Sequence, residues 1–122
     1  MGLTLLGRDF SVCKLGGVEN IDLSHEYVFL QKTDEEISLV CETRHTPENA
    51  VAAEAGWKAL RVTGILDFSL IGVIAKITAV LAGAGISVFA MSTYNTDYIL
   101  IKAENVERGI KALVANGYIM NN

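Results

Sequence analysis

Apolar and polar positions follow a regular pattern along the chain, and the pattern predicts short strands and helices. In the first half it predicts three strands, Phe10–Leu15, Tyr27–Thr33 and Ile37–Thr43. The charged turn 34–36 joins the last two strands into a predicted hairpin. Residues 18–25, between the first two strands, are expected to form at most one helical turn because they carry no long apolar stripe.

A short helix is predicted over residues 47–55, directly before the next strand. Thr46 is a good N-cap residue, and Pro47 suits the first helical position because its ring fixes a helical φ angle. Gly56 is expected to end this helix, since glycine adopts the left-handed conformation that often follows a helix. The strand Trp57–Thr63 then begins the second half.

Two longer helices are predicted in the second half. The first runs from Gly72 to about Ala82 and is stopped by Gly83 and Gly85, and the second begins after Asn105. Their apolar residues recur three and four positions apart, at Val73, Ile77, Val80, Leu81 and Ala84, and at Val106, Ile110, Leu113 and Val114. The predicted strands around them are Ile86–Thr93, Tyr98–Lys102 and Tyr118–Met120.

The element order from Trp57 to Met120 is therefore βαββαβ. This order is typical of the α+β ferredoxin-like sandwich, an antiparallel sheet with two helices on one face. The first half shows the same order with a stunted first helix. We therefore predict two tandem modules, a degenerate one at residues 1–56 and a complete one at 57–122, with strand Trp57–Thr63 serving both.

Composition narrows the class of protein. The chain has 122 residues, of which 51% are hydrophobic and 20% charged, enough to build a folded core. A formal net charge of -4 without a basic cluster disfavours nucleic acid and anionic membranes as partners. The longest apolar run, residues 64–86, is interrupted by Asp67 and Lys76, and the N-terminus lacks signal-peptide features. We expect a cytoplasmic protein.

Catalytic and metal chemistry have weak support in the sequence. The two histidines, His25 and His45, lie in polar turns, and Cys13 and Cys41 lie in apolar strands. None of the four follows a metal-ligand spacing, and buried reduced thiols are the expected state of the cysteines. We therefore expect no catalytic residue, no metal and no cofactor.

The most informative stretch is the loop from Leu66 to Val73. It contains Asp67 and Ser69 and opens at Gly72 onto a helix start, whose free amide N–H groups attract an anion. A carboxylate at the same place is able to hold an ammonium group. Alternatively, Asp67 or Ser69 simply caps the helix. A second polar segment, Ser92–Asp97, ends the following strand and is a candidate for the opposite wall of a site.

These segments resemble an ACT domain. The resemblance is closest to the branch that contains the CASTOR arginine sensors and small bacterial tandem-ACT proteins, and it extends over nearly the whole chain. It is carried by residues 57–62, 66–73, 85–88 and 91–101, and in the first half by 10–15 and 34–41. ACT domains are regulatory modules that bind amino acids, usually at an interface between two of them.

The resemblance also implies where a ligand would bind. Its carboxylate would meet the backbone N–H groups of Ile71, Gly72 and Val73. Its amino group and side chain would meet Asp67, Ser69, Thr93, Asn95 and Asp97. The chain departs from the usual pattern in two ways. Leu70 and Ile71 replace the proline that many members have before the glycine, and the first module lacks a comparable loop.

The sequence thus predicts a non-catalytic regulatory module that binds a small amino acid at a module or subunit interface and forms a homodimer. The alternative is a protein–protein interaction adaptor of the same ferredoxin-like fold with no bound ligand.

Overall fold

The computed structural model describes residues 1–66 and 72–121. The strands in these residues are β1 (Gly2–Leu5), β2 (Phe10–Leu15), β3 (Val28–Lys32), β4 (Ile37–Glu42), β5 (Ala52–Val62), β6 (Phe89–Ser92), β7 (Asp97–Lys102) and β8 (Ile119–Met120). The α-helices are α1 (Val73–Gly83) and α2 (Val106–Ala115), and two short 3-10 helices cover Thr43–His45 and Ala103–Asn105. None of the described helices is long and apolar enough to cross a membrane.

The chain forms two compact units, residues 8–57 and residues 1–7 with 58–122. We call them the N-terminal and C-terminal units. Strand β5 contributes residues 52–57 to the N-terminal unit and residues 58–62 to the C-terminal unit. Residues 1–7, which the sequence division at 56/57 placed in the first module, belong to the C-terminal unit. The reason is that β1 pairs antiparallel with β5, Leu3 opposite Val62, and parallel with β8, Gly2 opposite Ile119.

The C-terminal unit confirms the predicted α+β order β5-α1-β6-β7-α2-β8. Its strands lie in the order β6-β7-β5-β1-β8. The sheet differs from the predicted antiparallel sheet in one pairing, because β1 is inserted between β5 and β8 and pairs with β8 in parallel. Sequence periodicity missed β1, which is only four residues long.

An apolar cluster of described residues forms the core of the C-terminal unit. The predicted helix stripes supply three of its fully buried residues, Ile77, Leu81 and Leu113, whereas Val114 is 51% exposed and lies outside it. The two helices approach closely at Gly109, where a Cβ atom would lie 3.3 Å from Leu81 Cδ2. The buried members of the cluster are Leu3, Leu60, Val62, Ile77, Leu81, Ile86, Ile99, Ile101 and Leu113.

The N-terminal unit confirms the three predicted strands and the predicted hairpin. Its strands are antiparallel and lie in the order β3-β4-β2-β5. The buried residues Cys13, Leu15, Leu39 and Cys41 form its apolar cluster, and Ile21, Val28, Ile37 and Ala50 pack against them. The helical turn considered for residues 18–25 does not form; these residues make turns and bends.

The predicted helix over 47–55 was also wrong. Residues 52–57 instead pair with β2, with Ala53 opposite Cys13 and Trp57 opposite Phe10. One extra residue of β5 is accommodated where the register shifts between Phe10 and Val12, and Gly56 near this point has a φ of +88°. A bulge with a left-handed glycine explains why Gly56 stands here within a strand instead of ending a helix.

Candidate functional site

A cavity of about 240 Å³ lies in the C-terminal unit, between the start of α1 and the turn that joins β6 to β7. Five of the residues predicted to bind a ligand line it together: Gly72, Val73, Thr93, Asn95 and Asp97. The other predicted residues, Asp67, Ser69 and Ile71, lie outside the described residues. The remaining lining residues are Leu66, Ile74, Ser92, Tyr94 and Thr96.

The start of α1 forms one wall of this cavity. Gly72 is the N-cap residue and has a left-handed backbone, with a φ of 74°, which glycine adopts without a steric penalty. Its carbonyl accepts the hydrogen bond from the N–H of Lys76 at 2.9 Å. Within the described part of the chain, α1 has no capping side chain and no acidic residue in its first turn. The positive end of the helix dipole therefore lies at the cavity without a neutralising side chain from these residues.

The β6–β7 turn forms the opposite wall and is held by its own threonines. The N–H of Thr93 donates to the carbonyl of Thr96 at 2.8 Å, and the Thr93 hydroxyl donates to the same oxygen at 3.0 Å. The buried hydroxyl of Thr96 donates to the carbonyl of Val62 in β5 at 2.7 Å. The turn is thus fixed both internally and to the sheet.

Asp97 brings a negative charge to this wall. It lies directly opposite Ser92 in the β6–β7 ladder, and the Ser92 hydroxyl donates to Asp97 Oδ1 at 2.6 Å. A carboxylate oriented by a hydroxyl donor is well suited to accept a charge-assisted hydrogen bond from an ammonium group. Asp97 therefore presents a cation-binding group in the same cavity as the helix start.

Leu66 joins the end of the β5 segment to the β6–β7 turn. Its N–H donates to the carbonyl of Asn95 at 2.7 Å, so the chain leaving β5 is anchored to the β6–β7 turn. Leu66, Val73 and Ile74 also pack against the core, and they give the cavity an apolar side. The cavity therefore has a positive end, a negative end and an apolar surface within the volume of a small metabolite.

The sequence prediction missed five lining residues. Ser92, Tyr94 and Thr96 were named only as part of the polar segment 92–97, and Leu66 only as the start of the loop. Ile74 was not predicted as a lining residue, because the apolar periodicity of α1 was used only to predict which residues face the core. The signal that could have found Ser92 is its position opposite Asp97 across a short hairpin, where side chains on one face are neighbours.

The two histidines of the N-terminal unit lie together, which the sequence did not predict. The rings of His25 and His45 are stacked with centroids 3.6 Å apart and planes 14° from parallel. His25 Nε2 lies 3.4 Å from Asp22 Oδ2, and the Ser24 hydrogen bonds, with a smaller effect of the histidines, lower the pKa of Asp22. No group of three or more metal-ligating side chains is found among residues 1–66 and 72–121.

The cysteines are buried thiols. Cys13 and Cys41 are each 3% exposed, and both are free. Burial, together with the neighbouring Cys13, raises the pKa of the Cys41 thiol to about 12, and burial also raises the pKa of Cys13. The thiolate is the reactive form, so neither side chain is poised as a nucleophile at neutral pH.

We expect both cysteines to resist alkylation in the native protein at pH 8. Their reaction with iodoacetamide should be at least ~10-fold slower than in the protein unfolded by urea, because access and thiolate formation are both suppressed. Mass spectrometry of timed samples measures this ratio for each cysteine. Equal rates in the native and unfolded protein would contradict the buried placement.

The family comparison decides the class of protein. The ACT domain profile matches residues 52–115, more than half of the chain. The chain belongs to the ACT domain family. The matched segment begins with β5 and ends with α2, and it therefore contains both walls of the cavity.

Solved structures show the same fold. A protein from Agrobacterium tumefaciens is similar with a TM-score of 0.85 and 24% identity, over 98% of this ACT chain and 90% of that one. A Vibrio cholerae protein has a TM-score of 0.76 and 23% identity, with 91% and 85% covered. The ligand-free regulatory subunit of aspartate kinase from Thermus thermophilus has a TM-score of 0.69 and 12% identity, with 94% and 97% covered. No curated protein sequence shows a significant match.

Proposed function

We propose that this ACT protein is a non-catalytic, cytoplasmic regulatory module that binds a free small amino acid. The single observation that carries the proposal is the cavity, which has on one wall a helix start that no described side chain caps and on the other wall Asp97. An amino acid at neutral pH has a carboxylate and an ammonium group, and the two walls offer one complementary partner to each.

In this proposal the carboxylate meets backbone N–H groups at Ile71, Gly72 and Val73. The ammonium group meets Asp97, and Asn95 and Thr93 contact the side chain. From the family resemblance, Asp67 and Ser69 complete the site. The cavity of about 240 Å³ lies below the usual pocket range of about 300–1,000 Å³, which favours a small ligand.

The regulatory role is supported by family membership and by likeness to an aspartate kinase regulatory subunit. We further assign the chain to the CASTOR-type or small bacterial tandem-ACT branch, with the N-terminal unit as a degenerate module. We also propose a homodimer, in which ligand binding stabilises one arrangement of the subunits by mass action.

Calorimetric titration with each of the twenty standard amino acids tests the proposal. We expect heat of binding from at least one small amino acid and a rise in the melting temperature at millimolar concentration. Absence of both effects for every amino acid would overturn it.

Substitution of Asp97 by alanine is expected to weaken amino-acid binding about 10- to 100-fold, because a charge-assisted hydrogen bond contributes about 1.5–3 kcal/mol. Isothermal titration calorimetry measures the loss, and circular dichroism checks that the fold is intact. The matched control is Asp34→Ala, which removes an exposed aspartate from the β3–β4 turn and should leave affinity unchanged. Equal affinity of Asp97→Ala and the unsubstituted protein would remove Asp97 from the site.

A protein-interaction adaptor is the second candidate, and the apolar residues near the cavity favour it. Ile65 is 79% exposed and Tyr94, in the cavity lining, is 81% exposed. A contiguous patch of exposed apolar residues often marks a protein contact. Native mass spectrometry distinguishes the two candidates: a co-purified amino acid supports the first, and a stable complex with another protein but no small molecule supports the second.

A further inference from the structure

Lys76 places a positive charge beside the cavity. The sequence prediction did not include this residue in the site. It lies on the first turn of α1, four residues after Gly72, and is exposed. Its Cε lies 4.0 Å from the position that a Cβ atom would take at Gly72. The side chain therefore extends back along the helix toward its N-terminal end, where Gly72 and Val73 line the cavity.

This charge is not balanced by the surrounding protein that the structure describes. A cation near the N-terminal end of a helix is electrostatically unfavourable, because the helix dipole is positive there. The first turn of α1 has no acidic residue, and no ion pair joins Lys76 to a carboxylate in residues 1–66 or 72–121. The lysine and the helix dipole thus add their positive potentials at the same end of the cavity.

The cavity accordingly has two separated poles of opposite charge. Lys76 and the α1 start make the positive pole, and Asp97, oriented by the Ser92 hydroxyl, makes the negative pole. The Thr93 and Thr96 hydroxyls in the lining are committed to internal hydrogen bonds, to the Thr96 carbonyl and the Val62 carbonyl respectively. The charged groups are therefore expected to contribute to ligand selection.

We propose that Lys76 pairs with the carboxylate of the bound amino acid and thereby restricts the ligands to molecules with a free α-carboxylate. This inference rests on the proposed function of the same cavity. An amine or an amidated amino acid keeps the ammonium group for Asp97 but leaves the positive pole without a partner. Lys76 is then a specificity residue whose removal reduces discrimination between the acid and its amide.

The test uses the full chain and named probes. These are glycine, L-alanine, L-serine, L-threonine and L-valine, each compared with its carboxamide by calorimetry and by the ligand-induced shift in melting temperature. The variants are Lys76→Met, Lys76→Arg and the control Lys111→Met. Lys111 is an exposed lysine of α2 that forms a 3.9 Å pair with Glu107. It is not among the residues that line the cavity, so the control removes a lysine charge outside the site.

In the unsubstituted protein, we expect the free acid that binds best among these probes to bind at least ~10-fold more tightly than its amide. Lys76→Met should lower affinity for this acid about 10-fold and leave affinity for the amide unchanged, whereas Lys76→Arg should restore binding of the acid. Without ligand, the melting temperature of Lys76→Met should be equal or higher, because an unfavourable cation is removed from the helix start. Lys111→Met should behave as the unsubstituted protein.

Two results would overturn the inference while the proposed function stands. One is acid binding that is unchanged in Lys76→Met; the other is an equal loss for the acid and the amide, which would indicate a merely structural role. If no free acid binds the unsubstituted protein in the probe set or among the other standard amino acids, the proposed function itself fails, and this inference fails with it.

Discussion

Replacement of Leu81 by alanine is expected to lower the free energy of unfolding by about 2–5 kcal/mol. Leu81 is fully buried in the core of the C-terminal unit, on the face of α1 that meets α2. A Cβ atom at Gly109 would lie only 3.3 Å from Leu81 Cδ2, so the two helices are in close contact at this point. The truncation leaves a cavity that such closely packed helices can fill only in part.

Urea denaturation followed by far-ultraviolet circular dichroism measures this loss. The matched control is Leu23→Ala, which deletes the same atoms from a residue that is 70% exposed. We expect the control to change the free energy of unfolding by less than about 0.5 kcal/mol. Similar losses in the two variants would contradict the placement of Leu81 in the core.

Amphipathic periodicity explains why α1 and α2 could be predicted from the sequence. Ile77 and Leu81 lie four residues apart in α1, and Leu113 belongs to the apolar stripe of α2. Burial of these positions is what stabilises a short helix in water. The hairpin β3–β4 was predictable for a similar reason, since a short polar turn joins two apolar strands. In each case the signal lies within a few residues of the element that it predicts.

The errors fall where distant residues decide the outcome. The alanine-rich segment 50–55 follows a good N-cap and a proline, yet residues 52–57 gain backbone hydrogen bonds by pairing with β2. Local propensity amounts to less than about 1 kcal/mol per residue, and such pairing overrides it. Strand β1 was missed for a similar reason, because its partners β5 and β8 lie far along the chain.

For the candidate site, the sequence identified the segments but not their geometry. It predicted the helix start at Gly72 and the polar stretch 92–97 because glycine, hydroxyl and acidic residues stand where elements end. The hydrogen bond from the Thr96 hydroxyl to the Val62 carbonyl depends on how β5 and the β6–β7 turn meet. The approach of the Lys76 side chain to Gly72 likewise depends on the rotamer and not on spacing alone.

Glu42 is a second residue that could not be selected from the sequence, since it stands at the end of an apolar strand. In the structure its side chain is only 5% exposed. Its Oε1 lies 3.4 Å from Arg8 Nη1 and 3.4 Å from Arg44 Nε, and its Oε2 lies 3.9 Å from His45 Nδ1. A buried carboxylate needs such partners, because burial without them costs several kcal/mol.

Substitution of Glu42 by alanine is therefore expected to lower the free energy of unfolding by about 2–4 kcal/mol. This loss is smaller than the largest losses observed when one partner of a buried ion pair is removed. The reason is that the side chains of Arg8 and Arg44 are 36% and 67% exposed, so water can solvate them when Glu42 is absent. Urea denaturation at pH 7 measures it. The buried atom His45 Nδ1, which has no hydrogen-bond partner among the described residues, would lose its nearest carboxylate as well.

Glu26→Ala is the matched control for this experiment. Glu26 also approaches Arg8, with 3.6 Å between Glu26 Oε1 and Arg8 Nη2, but its side chain is 70% exposed. An exposed ion pair contributes about 0–1 kcal/mol, so the two glutamates separate the effect of burial from the effect of charge. If Glu42→Ala cost no more than Glu26→Ala, the buried network would be no more stabilising than a surface pair. The end of β4 would then depend on strand pairing with β2 and β3 alone.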